Sequence, residues 1–249
     1  MPAVAAYALR LGDDALILSH RLAEWVARAP ELEEDLALAN LSLDLLGQAR
    51  RLLGYAGELE GRGRDEDALA YLRGDLDFTN VQLVELPTGD FGRTIARQLL
   101  FSTYQHLLYA ELAHSGDERL AGIAAKAVKE VAYHRDHAVQ WTLRLGDGTA
   151  ESHTRMQAGL AGVWPYAAEL FEADELTHQL AADGTGVDPA TLRPAWDAAV
   201  DEVLADATLT RPDVPEAAAA GRRGLHTEHL GHLLAEMQAL HRAHPGAQW

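Results

Sequence analysis

Several features are missing from this 249-residue sequence, and each absence excludes a class of protein. It has no cysteine, which rules out disulfides, thiolate metal sites, iron–sulfur clusters and a cysteine nucleophile. Its 21 basic residues stand against 38 acidic ones, and a net charge of −17 argues against nucleic-acid binding. No apolar run approaches the ~20 residues of a membrane helix, and the start lacks the pattern of a signal peptide. The sequence therefore predicts a cytoplasmic protein with no membrane partner.

Aromatic residues are also scarce, at 6%, whereas alanine and leucine are abundant, a composition typical of close-packed helices. Apolar residues recur at helical spacing through most of the chain. The spacing predicts four long helices, over about 11–29, 31–60, 91–114 and 118–145. Further helices are expected over about 65–73, 151–182, 191–207 and 227–243. Four long helices with accessory ones indicate an all-α bundle, in one domain covering residues 1–249.

Local signals place the ends of these helices. Gly12, Asp13 and Asp14 read as the entry to the first helix, where an acid can cap. Asp90 is expected to cap the third long helix. Pro165 predicts a kink within the helix expected over 151–182.

A helical bundle first calls for a test of carboxylate-bridged di-iron chemistry. That site takes a Glu from each of two helices and a Glu-x-x-His from each of two others. Two such strings begin at Glu111 and Glu175, a number that composition alone explains, and both lie at predicted helix ends. Glu130 and His134 are better placed for metal binding, because they lie in the middle of a long predicted helix. They could chelate one metal ion or form a contact within their own helix.

Two further clusters invite a functional interpretation. His226, His229 and His232 follow one another at spacings of three, which drift around a helix and favour a surface or subunit contact over one shared metal ion. The adjacent pair Arg222 and Arg223 could meet the phosphates of a nucleotide-like ligand or an acidic partner. Solvated charge or an ion pair within the chain is the plainer interpretation of that pair.

Four segments resemble a known family. They are LRLGDDALILSHRLAEW (9–25), APELEEDLALANLSLDLLGQAR (29–50), KAVKEVAYHRDHAVQWTLRLGDGT (126–149) and GLHTEHLGHLLAEMQALHRAHPGAQW (224–249). In this order they are similar to the PaaC-type subunits of the multicomponent phenylacetyl-CoA epoxidase. The resemblance runs from near the first residue to the last.

The resemblance implies a ferritin-like fold and a role in bacterial aerobic phenylacetate catabolism. It implies a homologous catalytic subunit that holds a di-iron centre and converts phenylacetyl-CoA to its 1,2-epoxide with molecular oxygen. Electrons would come from NADPH through a reductase subunit with flavin and iron–sulfur groups. The subunit that this chain resembles is expected to be structural, with no cofactor of its own and no catalytic residue.

The ligand pattern of the catalytic relative can be laid over this sequence as the resemblance implies. Its two Glu-x-x-His motifs fall on residues 45–48 and 131–134, and its single carboxylates fall near residues 24 and 102. The six positions hold Glu24, Leu45, Gln48, Ser102, Val131 and His134. Only two of the six keep a ligand type, whereas a di-iron centre needs several carboxylates to offset and bridge its cations.

The sequence therefore predicts a metal-free scaffold subunit with apolar side chains at vestigial ligand positions. One alternative is that the chain itself is a di-iron oxygenase or iron oxidase, with Glu24, Glu130 and His134 converging with a further carboxylate. Another is a helical binding module unrelated to oxygenation. Arg222 and Arg223 remain candidates for contact with coenzyme A phosphates or with a partner.

Overall fold

The structure is a computed structural model that describes residues 1–218 and 220–247, so position 219 and the last two residues of the fourth resembling segment lie outside it. Its α-helices are α1 (Ala3–Ala23), α2 (Leu32–Glu60), α3 (Glu66–Tyr71), α4 (Gln82–Glu85), α5 (Phe91–Leu112), α6 (Glu118–Gly146), α7 (Ala150–Val163), α8 (Glu175–Ala182), α9 (Arg193–Asp206) and α10 (Glu228–Ala243). Short 3-10 turns join several of them. The described residues contain no strand, only one isolated bridge between Ala220 and Leu225. The all-α prediction is confirmed.

The helices form two compact units. The first unit comprises Met1–Pro87 and the described residues of 219–249, so its sequence is discontinuous. The second unit is the continuous segment Thr88–Ala218. The single domain expected over residues 1–249 stays a prediction.

In the first unit, α1 and α2 form an antiparallel pair. Ser19 of α1 donates to the carbonyl of Ser42 at 2.8 Å, and Ser42 donates to the carbonyl of Ser19 at 2.9 Å. Gly12 lets the two helices approach closely, because a Cβ there would lie 2.8 Å from a methyl carbon of Leu53. Helices α3, α4 and α10 pack against this pair or against each other.

In the second unit, α5 and α6 form the long pair, and α7 and α9 pack against them. Asp90 caps α5 as predicted, since its carboxylate accepts from the backbone N–H of Arg93 at 2.9 Å. Trp196 of α9 is fully buried, and its indole N–H donates to the carbonyl of Leu100 in α5 at 2.8 Å. Aromatic side chains around Trp196 complete that part of the core.

Three helix boundaries differ from the sequence prediction, and one of them is the end of α1, which lies at Ala23 rather than near residue 29. Helix α1 begins at Ala3, not near residue 11, because Asp13 and Asp14 are buried inside it and paired with arginines rather than capping it. The helix expected over 151–182 is broken rather than kinked. It stops at Val163, before Pro165, and Asp174 starts α8 afresh by accepting from the N–H of Thr177 at 3.0 Å. Glu175 therefore opens a helix instead of lying near the end of one.

No helix in the part of the chain that the structure describes has the length and apolar character needed to cross a bilayer.

Candidate metal centre

The first unit holds three of the six positions at which the sequence comparison with the catalytic relative placed ligands. Glu24 follows the end of α1, and its carboxylate accepts from the Arg21 guanidinium at 2.6 Å. Arg21 is itself held in place, because it also donates to the carbonyls of Glu85 and His229. Leu45 and Gln48 lie on the buried side of α2, each only 1% exposed. This unit therefore offers one carboxylate, already in an ion pair, and one buried aliphatic side chain.

The second unit holds the other three positions. Ser102 lies on α5, Val131 and His134 lie on α6, and all three side chains are at most 2% exposed. Glu130, named in the alternative hypothesis, is turned about 100° around α6 from Val131. Its carboxylate lies 3.4 Å from the ammonium of Lys126. Of the three positions in this unit only His134 has a ligand type, an imidazole, and the Glu130 carboxylate faces Lys126 of its own helix.

These donors do not fit a di-iron centre. Two bridged iron ions need several carboxylates, because neutral side chains cannot offset their charge. Leu45 and Val131 supply no charge, and each is buried by at least 99%. Among residues 1–218 and 220–247, no three His, Asp or Glu side chains are grouped so that they could hold a metal ion.

Buried charge in the first unit is used for a different purpose. The Asp13 carboxylate forms an ion pair with Arg73, and it also accepts from the backbone and hydroxyl of Thr79 at 2.9 and 3.0 Å. Asp14 accepts from Arg222 at 2.7 and 3.1 Å and from the N–H of Val81 at 2.9 Å. Burial raises the pKa of the Asp14 carboxyl, and the Arg222 guanidinium opposes that rise. Both acids of α1 are thus satisfied within the unit.

A third buried acid, Glu85, receives the start of the C-terminal helix. His226 Nδ1 lies 2.7 Å from one Glu85 oxygen, and the backbone N–H of Thr227 donates to the other at 2.6 Å. His226 Nε2 lies 2.9 Å from the carbonyl oxygen of Phe78, which can only accept. The Nε2 side of the ring therefore donates to Phe78, and the Nδ1 side faces the Glu85 carboxylate. We call Arg222, His226 and their acids Asp14 and Glu85 the C-terminal clasp.

The clasp contains one residue from each of two candidate clusters, the arginine pair and the three histidines. Arg222 is bound internally by Asp14 and by the carbonyls of Arg10 and Thr79, whereas its neighbour Arg223 is exposed. Of the three histidines, His226 is buried in the clasp, and its two ring nitrogens face a carboxylate and a carbonyl. The described residues hold no metal group here either.

A groove of about 330 Å³ lies in the first unit between the end of α1 and α10. Its polar lining is His20, Glu24 and Glu236, with Leu233 and Met237 as the larger apolar side chains. Burial lowers the pKa of the His20 imidazole, so this ring stays neutral near pH 7. The groove is consequently negative and unsuited to phosphate groups.

Sequence reasoning missed the clasp. Asp13 and Asp14 lie in an apolar stretch that continues on both sides, from Ala5 to Leu22, and this continuity was the one available sign that the acids are interior. The partners could not be found by spacing, because Arg222 is 208 residues from Asp14 and His226 is 141 from Glu85.

Two antiparallel pairs of long helices with accessory helices place the chain among the ferritin-like helical proteins. The family model described as "Phenylacetic acid catabolic protein" (PaaA_PaaC) matches residues 1–249, and the chain belongs to this family. The chain is also similar to a protein of Escherichia coli strain K12 that is named as one of the subunits of "1,2-phenylacetyl-CoA epoxidase". The two are 51% identical over 249 residues, with all of both chains covered. The resemblance stated from the sequence is confirmed.

Proposed function

We propose that this chain is a non-catalytic structural subunit of a bacterial phenylacetyl-CoA epoxidase complex that acts in aerobic phenylacetate catabolism. Full-length similarity to a protein named as one of the subunits of that epoxidase supports the assignment to the complex. The family description supports the metabolic setting. The partner is a homologous subunit that holds the di-iron centre and carries out ring epoxidation.

The observation that carries the proposal is the aliphatic character of Leu45 and Val131. Both are buried, and the resemblance implies that the carboxylates of the catalytic relative's two motifs fall at these positions. An aliphatic side chain at such a position removes a ligand and its negative charge at once. The alternative set of Glu24, Glu130 and His134 gains no support, because both carboxylates already face a basic side chain of their own helix.

A subunit of this kind contributes rigidity. Ligand positions matter on a scale of about 0.5 Å, so a partner that packs against the helices of the catalytic subunit affects its activity from outside the metal centre. We expect a permanent interface of more than about 2,000 Å², the range of obligate complexes. No cofactor belongs to this chain in the proposal; flavin and iron–sulfur groups belong to the reductase that passes electrons from NADPH.

Metal counting on the co-expressed complex tests the proposal. The chain purified alone should hold no iron, and its complex with the catalytic subunit should hold about two irons per pair of chains and turn over phenylacetyl-CoA. About two irons per chain in the isolated protein would overturn the proposal. Loss of co-purification with the catalytic subunit, together with turnover that does not depend on this chain, would overturn it too.

His134→Ala separates a vestigial position from a working ligand. Turnover by the assembled complex should stay within about two-fold of wild type, apart from a loss of stability. His137→Ala is the matched control, because it removes a second imidazole on the buried side of the same helix, three residues further on. Collapse of turnover in His134→Ala alone, at normal expression and assembly, would contradict the proposal.

We also propose Arg223 as the exposed member of its pair for contact with coenzyme A phosphates or with a partner subunit. Arg223→Glu should raise KM for phenylacetyl-CoA or weaken co-purification, and Arg28→Glu serves as a control at another exposed arginine of the first unit. Unchanged KM and unchanged assembly would remove this contact from the proposal.

A further inference from the structure

The outward side of α2 carries three large leucines that no other described residue covers. Leu32, Leu36 and Leu43 are 71%, 61% and 63% exposed. Single exposed leucines are ordinary on protein surfaces, but a contiguous apolar strip on one helix marks an interaction site. Whether these three leucines indicate an interaction site therefore depends on whether they lie on the same side of the helix.

At about 100° per residue, the three leucines fall within roughly 40° around the helix axis. Gly47 continues the same line one turn further on, and a Cβ at that position would meet no atom within 4 Å. We call Leu32, Leu36, Leu43 and Gly47 the leucine face of α2. It lies opposite the side of α2 that is buried through Leu41, Leu45 and Leu52.

The face has a shape that fits its own copy. Suppose that a second α2 lies antiparallel against it, with a two-fold axis near Ser42. Leu36 of each helix then comes opposite the space at Gly47 of the other, and the two Leu43 side chains meet close to the axis. Each Leu36 thus fits against a glycine of the other helix, and the two Leu43 side chains pack against each other at the centre. The leucine face runs from residue 32 to residue 47, about 22 Å along a helix of 29 residues.

The charges beside the face are complementary in the same arrangement. Glu33 and Arg51 are both exposed and lie on the same flank of the leucine face, nine positions before and nine after Ser42. No ion pair within the described residues engages either side chain. A two-fold axis at Ser42 keeps this flank together and brings Glu33 of one helix beside Arg51 of the other. The pairing occurs twice, because the arrangement is symmetric.

From this geometry we propose that the leucine face of α2 is an antiparallel docking surface for a second copy of this chain. The apolar line supplies the buried area, and the two Glu33–Arg51 pairs set the register and the antiparallel orientation. The proposal goes beyond the epoxidase assignment and does not depend on it, since it concerns self-association of this chain.

Charge exchange tests the proposal on the full-length chain, by sedimentation equilibrium over a range of concentrations. Glu33→Arg and Arg51→Glu should each weaken self-association by about 10-fold, since each homodimer then holds two like-charge contacts. An equimolar mixture of the two variants should regain wild-type affinity, because both contacts become complementary again. Wild type that stays monomeric, or a mixture that stays as weak as its components, would overturn the proposal.

Leucine variants test the apolar line. Leu36→Arg and Leu43→Arg should abolish self-association at concentrations where wild type is dimeric, with helical circular dichroism unchanged. Leu240→Arg is the matched control, because Leu240 is 58% exposed on α10, and it should leave self-association as in wild type. The same variants are then co-expressed with the catalytic subunit. If they abolish its capture and leave self-association intact, the face belongs to that subunit and the proposal fails.

Discussion

The two units of the molecule hold their parts together by different physical means. The first unit joins distant segments of sequence through buried charge: Asp13 with Arg73, Asp14 with Arg222, and Glu85 with His226. The second unit is continuous in sequence and has an aromatic core around Trp196, whose ring contacts Phe171 edge-on at 5.2 Å between centroids. A guanidinium takes part here too, but Arg193 lies over aromatic rings rather than beside a buried acid.

The difference follows from chain connectivity. A helix at the far end of the sequence can slide or rotate on an apolar surface, because hydrophobic contact is non-directional. Ion pairs with bidentate geometry fix one register, and the C-terminal segment of the first unit has such a pair in Arg222 and Asp14. The second unit also buries charged side chains, Arg97 and Glu169, but its helices follow one another along the chain, so the connecting segments limit where each helix can pack.

Trp196→Ala should have the largest effect, lowering the free energy of unfolding by about 3–5 kcal/mol. The substitution empties a fully buried site and leaves the Leu100 carbonyl without its indole donor. Denaturant titration followed by circular dichroism measures it. Trp196→Phe is the control and should recover a large part of the loss; equal losses for both would show that the ring does not fill the core.

Arg222→Ala should lower the free energy of unfolding by about 3 kcal/mol, since it leaves the Asp14 carboxylate buried without its cation. We expect the lower end of the range because the Arg222 side chain is 15% exposed. Arg223→Ala, the adjacent exposed arginine, should change stability by no more than about 0.5 kcal/mol. Similar effects for the two arginines would refute the role given to the clasp.

The single domain expected over residues 1–249 predicts how these variants melt. Calorimetry should show one unfolding transition, and both Trp196→Ala and Arg222→Ala should lower the midpoint of that transition. Two transitions, each moved by only one of the substitutions, would mean that the units unfold independently.

Gly159→Ala, in the second unit, should lower the free energy of unfolding by about 1–3 kcal/mol. A Cβ at residue 159 of α7 would lie 2.8 Å from the backbone N and Cα of Arg93, so one helix must move away. Gly122→Ala in α6 is the matched control, because a Cβ there meets nothing within 4 Å. The control should raise the free energy of unfolding by about 0.5–1 kcal/mol, because alanine has a higher helix propensity than glycine. A loss in the control, or none in Gly159→Ala, would contradict the close approach.

The smallest effect concerns acid sensitivity, to which each unit contributes one histidine. Burial lowers the pKa of His20 in the first unit and of His106 in the second from the ordinary value of 6.5. The unfolded chain then binds protons at a higher pH than the folded chain, so stability falls as the pH drops through about 6.5. Chemical denaturation between about pH 7 and pH 5 should show a shallower fall for His20→Gln and for His106→Gln. If the free energy of unfolding of either variant fell with pH as steeply as that of wild type, that histidine would not contribute to acid sensitivity.

Local sequence signals predicted the helices well where a cap or a break is near in sequence. Asp90 capped α5, and α2 and α6 ended within about two residues of the prediction, because capping and turn chemistry act over a few residues. The same reasoning failed at Asp13 and Asp14. An acid that can cap a helix looks the same in sequence as an acid that is buried beside an arginine from elsewhere.

For the candidate metal positions, too, some properties can be predicted from the sequence and others depend on the tertiary structure. Residue types at positions 45 and 131 are visible in the sequence, and their lack of charge already argued against iron. Burial of Leu45 and Val131 and the pairing of Glu24 with Arg21 follow only from the tertiary structure. The exposure of Leu32, Leu36 and Leu43 does too, because leucines on both sides of α2 share one pattern in the sequence.

Sequence by itself determined that this chain is helical, where α2, α5 and α6 lie, that it is acidic, and that residues 45 and 131 are aliphatic. These properties depend on residue type and on neighbours within about one helical turn. Tertiary structure alone decided which acids are buried, that Arg222 and His226 bind them, and which leucines of α2 remain uncovered. Such properties depend on contacts between residues far apart in the chain, and spacing along a sequence holds no record of them.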